Sequence, residues 1–413
     1  MQLKTILNRV EKHSSFVYQE PVFEKEALII PIRPRLSSKA ICSGCQRRRG
    51  TYDSSRSPRR FQFVPLWGLS VYFQYTMRRV SCPTCGIKVE SVPWAVGKSP
   101  VTISFAWFLA RWAKRMSWKE VSVCFHTTWD CVFRAVKIAV EWGLKNRDLS
   151  QIEAIGVDEV LWHRGHKYLT VVYEISRGSR RLLWVGRDRK KETLRAFFDD
   201  FGEHAKTLKY VCSDMWRPYL KVIAERANEA IHVLDRFHIA GMINKAIDNI
   251  RAEEAKQMKV DGYEPVLRKT RWLLLKRPEN LTEKQATSMK VLLQYNLRSV
   301  KAYLLKEEFQ RLWNYSSEVW AGKFLDQWCK VVMKSRINPM KKVAKTLRRH
   351  RPLILNWFRA RGEISAGAVE GLNNKLKLTT RKAYGFRTFK AAEIALYHAM
   401  GDLPEPRGTH RFF

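Results

Sequence analysis

The chain has 413 residues, and 76 lysines and arginines against 39 aspartates and glutamates leave a formal charge of +37. Such a field repels cationic partners and concentrates polyanions, each neutralised phosphate adding a salt-dependent increment to affinity. No run of about 18 apolar residues is present and the opening MQLKTILNRVEKHSS lacks a signal-peptide core, so neither a membrane span nor secretion is expected.

The length predicts two to four domains with ample apolar content for a large core. Segment 1–95 is read as a zinc-ribbon domain, with Cys42-x-x-Cys45 and Cys82-x-x-Cys85 as two knuckles that each supply two thiolates to a structural zinc ion. The runs RRFQFVPL and LSVYFQYTMRRV between them are strand-like and meet at a turn, Trp67-Gly68. Cys124, Cys131, Cys212 and Cys329 lie singly in apolar contexts and are expected to be buried small hydrophobes in a reducing compartment. Segment 96–148 turns helical, with Phe105, Phe108, Leu109 and Trp112 on one side of a first helix. Two short helices follow, opened by Ser117-x-x-Glu120 and Thr127-x-x-Asp130, in the pattern of a helix-turn-helix whose second member carries Arg134 and Lys137 outward.

From 149 to 244 the elements alternate. Three strands (EAIGVDEVLW, HKYLTVVYEI, SRRLLWVGR) precede helix, strand (LKYVCSDM), helix, strand (AIHVLD) and a helix opening at RFHIA. That order is an α/β, ribonuclease H-like mixed sheet with a large helical insertion at 245–360. A closing helix at 361–400 and a tail at 401–413 complete the chain. His163 and His166 flank the turn after the first strand and are read as surface residues; Trp162, Trp184 and Trp216 are read as packing residues.

Three acids stand out: Asp158, which ends or nearly ends the first strand, Asp214, at the end of the fourth, and Glu370 on the closing helix. Glu370, Asn373, Asn374 and Lys377 recur at helical spacing, and Val369, Leu372 and Leu376 form the expected packing stripe. Converging carboxylates repel one another unless cations lie between them, so magnesium (or manganese) at this trio is the expected remedy, and DNA the expected substrate. Glu159, on the opposite face of the strand, is assigned a structural role.

The stretches GVDEVLWHRGHKYLTVVYEI, SDMWRPY, VLDRFHIAGMINKAID and VEGLNNKLKLTTRKAYGFR, with the paired cysteines, resemble the ISL-three family of insertion-sequence transposases over nearly the whole chain. The resemblance implies a DDE-type enzyme that binds terminal inverted repeats, cuts DNA strands with divalent metal and joins them to target double-stranded DNA. It also implies a cytoplasmic, nucleoid-associated protein that acts as a homo-oligomer on DNA. Asp235 in DRFH also follows an apolar strand and is the alternative to Asp214 as second acid. Strand order favours Asp214, so Asp235 and His238 take a supporting role, as do Asn373 and Asn374, while Lys375, Lys377, Arg381 and Lys382 are expected to meet phosphates. A non-catalytic DNA-binding regulator and a structure-specific nuclease are the alternatives.

Overall fold

A computed structural model describes residues 3–163, 165, 167–263, 266–360, 363–364, 366–383 and 385–406. His166 and the end of the tail, 407–413, lie outside the described residues. The chain is mixed α/β and divides into two compact units, Met1–Arg147 with Leu378–Phe413, and Asp148–Lys377.

In the first unit, helix α1 (Leu3–Val10) leads to strands β1 (Phe16–Tyr18), β2 (Val22–Glu24), β3 (Ala27–Pro34), β4 (Ala40–Ile41) and β5 (Arg48–Ser54). Strands β6 (Arg59–Leu66), β7 (Leu69–Tyr75), β8 (Arg78–Cys82) and β9 (Gly86–Val89) follow. They form two sheets, one ordered β1-β3-β7-β6 with β2 on β3, the other β4-β5-β8-β9. Region 1–95 is therefore more than a ribbon. The alternating residues of β6 and β7 bury Phe61, Phe63, Val71, Phe73 and Tyr75 around Trp94, so these strands join the larger sheet instead of bridging the knuckles. Their hairpin turns at Trp67 (φ 48°) and Gly68 (φ 81°), the left-handed pair that matches strand twist. The run LSVYFQYTMRRV breaks between β7 and β8, where buried Glu90 accepts bonds from the Tyr75 hydroxyl at 2.7 Å and Arg78 Nε at 2.9 Å.

Helices α2 (Ile103–Trp112), α3 (Trp118–Cys124) and α4 (Trp129–Asn146) complete the N-terminal part. Ser117 and Glu120 make both halves of a capping box. The second cap falls one residue later than expected: the helix starts at Trp129, so Thr128, not Thr127, is the residue before it and accepts from the Cys131 N–H, while the Thr127 N–H closes the turn to the Ser122 carbonyl. Cys212 and Cys329 are buried as expected, but Cys131 is half-buried and Cys124 exposed, at the outward-facing end of α3.

In the second unit, β10 (Ala154–His163), β11 (Lys167–Glu174) and β12 (Arg181–Arg187) form an antiparallel meander. Helix α5 (Lys191–Phe201) leads to β13 (Tyr210–Ser213), and α6 (Arg217–Arg226) to β14 (Ile231–Leu234). The sheet order is β12-β11-β10-β13-β14, with β10, β13 and β14 parallel. First and fourth strands are thus neighbours. One face buries Ile155, Val157, Val172 and Leu183 against Leu194 and Phe197 of α5 and Tyr219 and Val222 of α6.

Helix α7 (Arg236–Val260) opens a helical region containing α8 (Arg271–Leu275), α9 (Glu283–Leu292), α10 (Arg298–Gln310), α11 (Glu318–Lys334), α12 (Asn338–Arg349) and α13 (Arg351–Arg359). The expected boundary at 245 falls inside α7, whose stripe of Ile239, Ile243, Ala246, Ile247 and Ile250 continues unbroken through it. Helix α13 runs along β14, and the Asn356 side chain donates to the His232 carbonyl at 2.8 Å, covering that sheet edge.

Helix α14 (Ala366–Lys382) covers the other face of the sheet. It comes down over Gly156, where a Cβ would lie 2.5 Å from Val369 Cγ2, so glycine admits the helix. The expected closing segment 361–400 is divided between the units. Residues from 378 onward go with the first, where the helix Phe389–Met400 packs on α4 and Glu405 pairs with Arg111 at 2.9 Å.

Candidate active site

Parallel pairing fixes the site. Val157, Ser213 and Leu234 are successive register partners on β10, β13 and β14. The next residue on each chain is an acid: Asp158, Asp214 and Asp235. Neighbouring strands lie about 5 Å apart, so one carboxylate emerges per strand along a single row, with Asp214 in the middle. Asp158 does not end its strand as expected. It sits within β10, which continues to His163 against β11, and it is the first residue beyond the pairing with β13.

Each acid is held by its own chain. Asp158 is only 8% exposed and accepts the Glu159 N–H at 2.7 Å. Asp214 accepts the Trp216 N–H at 2.9 Å, and Asp235 caps α7 through the Phe237 N–H at 2.7 Å. His238, one turn into α7, places Nε2 4.0 Å from Asp158 Oδ1 and 3.8 Å from Asp235 Oδ2. Glu159 turns to the other face and pairs with Arg189 at 2.9 Å. Trp216 is not the packing residue expected: it is 38% exposed, and the Arg189 guanidinium lies 5.0 Å from its ring centroid.

Helix α14 contributes differently from the sequence pattern. Asn373 is not on the outward face with Glu370 and Asn374; it shares the buried stripe of Val369, Leu372 and Leu376. Its amide nitrogen donates to Asp158 Oδ2 at 2.5 Å, and its oxygen accepts from the Tyr173 hydroxyl at 2.9 Å. Residues 369, 372, 373 and 376 follow the i, i+3, i+4, i+7 rule better than the narrower stripe did. Tyr173 was not singled out from sequence; its signal is its place opposite Gly156 on the pleat that α14 covers. Glu370 and Asn374 are exposed.

Electrostatics tie the acids together. Burial pushes Asp214 up to about 6, with the charges of Asp158 and Glu159 adding to it and the Trp216 N–H and His238 opposing. Asp235 is also raised, first by burial and then by Asp158 and Glu370, against the Phe237 N–H and His238. Buried oxygen donors that raise one another in this way suit a hard divalent cation, which relieves the repulsion. They stand more openly than a closed ion cage, however. Among the described residues, the only set of three or more ligating groups with all donor atoms within 4.8 Å of one another is Cys42, Cys45, Cys82 and Cys85.

That cysteine set fits a tetrahedral soft ion. Both knuckles turn through a left-handed residue just after the second cysteine, Gln46 (φ 57°) and Gly86 (φ 71°). Burial alone would raise the Cys82 thiol, but the backbone N–H groups of Cys85 and Thr84 and the Arg49 side chain bring it down to about 6. A Cβ on Gly44 would lie 2.9 Å from Cys85 Sγ, so the knuckle backbone closes directly on the thiols.

The expected DNA contacts are exposed except Lys137, which is half-buried. On α4, Arg134 and Lys137 are engaged with Asp130 (2.6 Å) and Glu141 (3.8 Å) one turn away. Lys375, Lys377, Arg381 and Lys382 face outward along α14. No helix among the described residues is long and apolar enough to cross a membrane.

A family model described as Transposase, of the DDE ISL3 type, matches residues 155–396. The transposase for insertion sequence element IS1001 of Bordetella parapertussis is 30% identical, over 84% of this chain and 85% of that one. The transposase for insertion sequence element IS1557 of Mycobacterium tuberculosis is 29% identical, over 93% of this chain and 91% of that one. Among solved structures, the Drosophila P element transposase strand transfer complex aligns at a TM-score of 0.41 and 9% identity, covering 72% of this chain and 90% of that one.

Proposed function

The chain belongs to the ISL3 family of DDE transposases, and from that premise we propose that Asp158, Asp214 and Glu370 are the acids with which it cuts and joins DNA. The observation that carries the reading is the register row: Asp158 and Asp214 leave adjacent parallel strands side by side, and α14, which bears Glu370, is bonded to Asp158 through Asn373. Such an order of strands, 3-2-1-4-5 with a helical insertion before the last acid, is the one expected of a ribonuclease H-like core. Magnesium or manganese held by these carboxylates would supply Lewis-acid activation of the attacking oxygen and of the scissile phosphate.

The remaining residues position. Asn373 takes Oδ2 of Asp158, while Oδ1 accepts the Glu159 N–H; the Tyr173 hydroxyl fixes which end of that amide faces the acid. Asp214 is preferred to Asp235 because β13 adjoins β10, whereas β14 lies one strand further away. Asp235 and His238 anchor the start of α7 beside the row. Cys42, Cys45, Cys82 and Cys85 hold structural zinc, and the module they close joins α3 and α4 in recognising the terminal inverted repeats. The domains are assigned as a ribbon-bearing region to 95, a helix-turn-helix to 148, the core to 244, the insertion to 360 and the closing helix beyond. A homo-oligomer bringing two ends together is the working form.

Purified protein with magnesium and labelled transposon ends tests the reading. Cut and joined products are expected from the wild type, and binding without cutting from Asp158→Asn, Asp214→Asn and Glu370→Gln. Binding alone by the wild type would favour a regulator, and cutting with no joining a nuclease. Near-normal cutting by Asp214→Asn with none by Asp235→Asn would transfer the second position to Asp235.

A further inference from the structure

From Gln327 to residue 362 the chain carries eleven lysines and arginines and no aspartate or glutamate. Helix α12 is the centre of this stretch. Met340, Val343, Ala344 and Leu347 are buried on one side, packed against α7 and α11. Lys342, Lys345, Arg348 and Arg349 are exposed on the other, with Lys341 half-buried at its margin. The buried stripe fixes the rotation of the helix, so these cations cannot turn away from solvent.

The neighbouring helix shows what a self-satisfied basic surface looks like. On α13, Arg351 pairs with Asp326 at 2.9 Å and Arg359 with Glu318 at 2.8 Å. Among the described residues, none of the five α12 cations has a carboxylate within ion-pair distance. Like charges three and four residues apart on a helix each cost about 0.2–0.5 kcal/mol, a penalty that an external polyanion removes. Helix α12 is about 18 Å long, and a duplex presents a charge every ~1.7 Å along its axis, so several phosphates fall within its reach.

We propose that the exposed face of α12 is a second DNA-contacting surface, gripping the phosphate backbone of duplex DNA without reading its sequence. Lysine- and arginine-only faces position a duplex but carry no base code, which suits DNA flanking the cut or target DNA more than the repeat itself. Packing against α7, whose first turn holds Asp235 and His238, ties the grip to the helix that begins at the acid row. This inference rests on the reading of the chain as a DNA transposase.

The test uses the full chain and the triple variant Lys342→Gln/Lys345→Gln/Arg349→Gln, titrated by anisotropy against a random-sequence duplex and a transposon-end duplex at several salt concentrations. Three lost phosphate contacts lower the slope of log affinity against log salt by about 2.7 on both duplexes and leave the end-to-random ratio unchanged. Lys342→Arg/Lys345→Arg keeps the charge and retains the slope. An unchanged slope in a triple variant with the wild-type thermal midpoint would make α12 a solvated face and overturn the proposal. Loss confined to the end duplex would make it a sequence reader, and a larger effect on RNA of equal charge would reassign its partner. Wild-type protein that cuts ends while the triple variant keeps its slope would sink only this inference; wild-type protein that neither binds nor cuts DNA would sink the transposase reading as well.

Discussion

Replacing Asn373 with leucine tests how the acid row is held. The side chain is 8% exposed and makes two bonds, one to the Asp158 carboxylate at 2.5 Å and one from the Tyr173 hydroxyl at 2.9 Å. Losing a bond to a charged acceptor costs about 1.5–3 kcal/mol, and a buried hydroxyl left without its acceptor about 1–3 kcal/mol. Leucine's own burial returns about 1 kcal/mol, leaving a net loss of about 1.5–5 kcal/mol. Tyr173→Phe should cost about 1 kcal/mol, because the bond to Asp158 survives, but it frees the amide to turn its oxygen toward the carboxylate. Asn373→Asp places a like charge against Asp158 and should be the most damaging to cutting. Urea unfolding and end cleavage at saturating DNA, measured on all three variants, check this order. Wild-type stability and cleavage in Asn373→Leu, or a heavier loss in Tyr173→Phe, would refute the reasoning.

Further outcomes follow from other parts of the structure. Gly156→Ala sets a methyl group 2.5 Å from Val369 Cγ2 and should lift α14, lowering both thermal midpoint and cleavage; an unaffected enzyme would mean the helix has room to spare. Cys42→Ser should abolish stoichiometric zinc, measured by elemental analysis, and weaken binding to transposon ends, while unchanged affinity would remove the module from recognition. Asp214 titrates at about 6 in the fold against an ordinary value of 3.8, so the fold favours its protonated form. Its stabilising contribution is full below about pH 4 and disappears as pH rises through about 6. In metal-free protein, the thermal midpoint of the wild type should therefore fall relative to Asp214→Asn over that window, and a constant difference between the two would contradict the burial of this acid.

Much of the core was legible because its signals are local. A meander followed by alternating helices and strands fixed the order of the central sheet, and the acids after GV, VCS and HVL could be seen to leave apolar strands. Asp158 was misplaced as a strand end because β10 outlasts its parallel partner, and pairing length is a property of two segments rather than one. Asn373 was put on the wrong face because an amide beside Glu370 looks solvent-bound until a buried acid is known to need a donor. The larger N-terminal sheet escaped notice since β3 pairs with β7, some forty residues away, and nothing in RRFQFVPL says which sheet it joins. The lack of acidic partners along α12 cannot be read from its own run, because it depends on α11 spending Asp326 and Glu318 on Arg351 and Arg359 of α13.

Anomalous scattering from crystals of the DNA-bound protein grown with manganese would test the central claim most directly. Two peaks about 3.5–4 Å apart, bounded by the carboxylates of Asp158, Asp214 and Glu370, are the expected result. Peaks centred on Asp235 and His238 with Asp214 uninvolved, or a DNA-filled site whose acids bind no manganese, would contradict it.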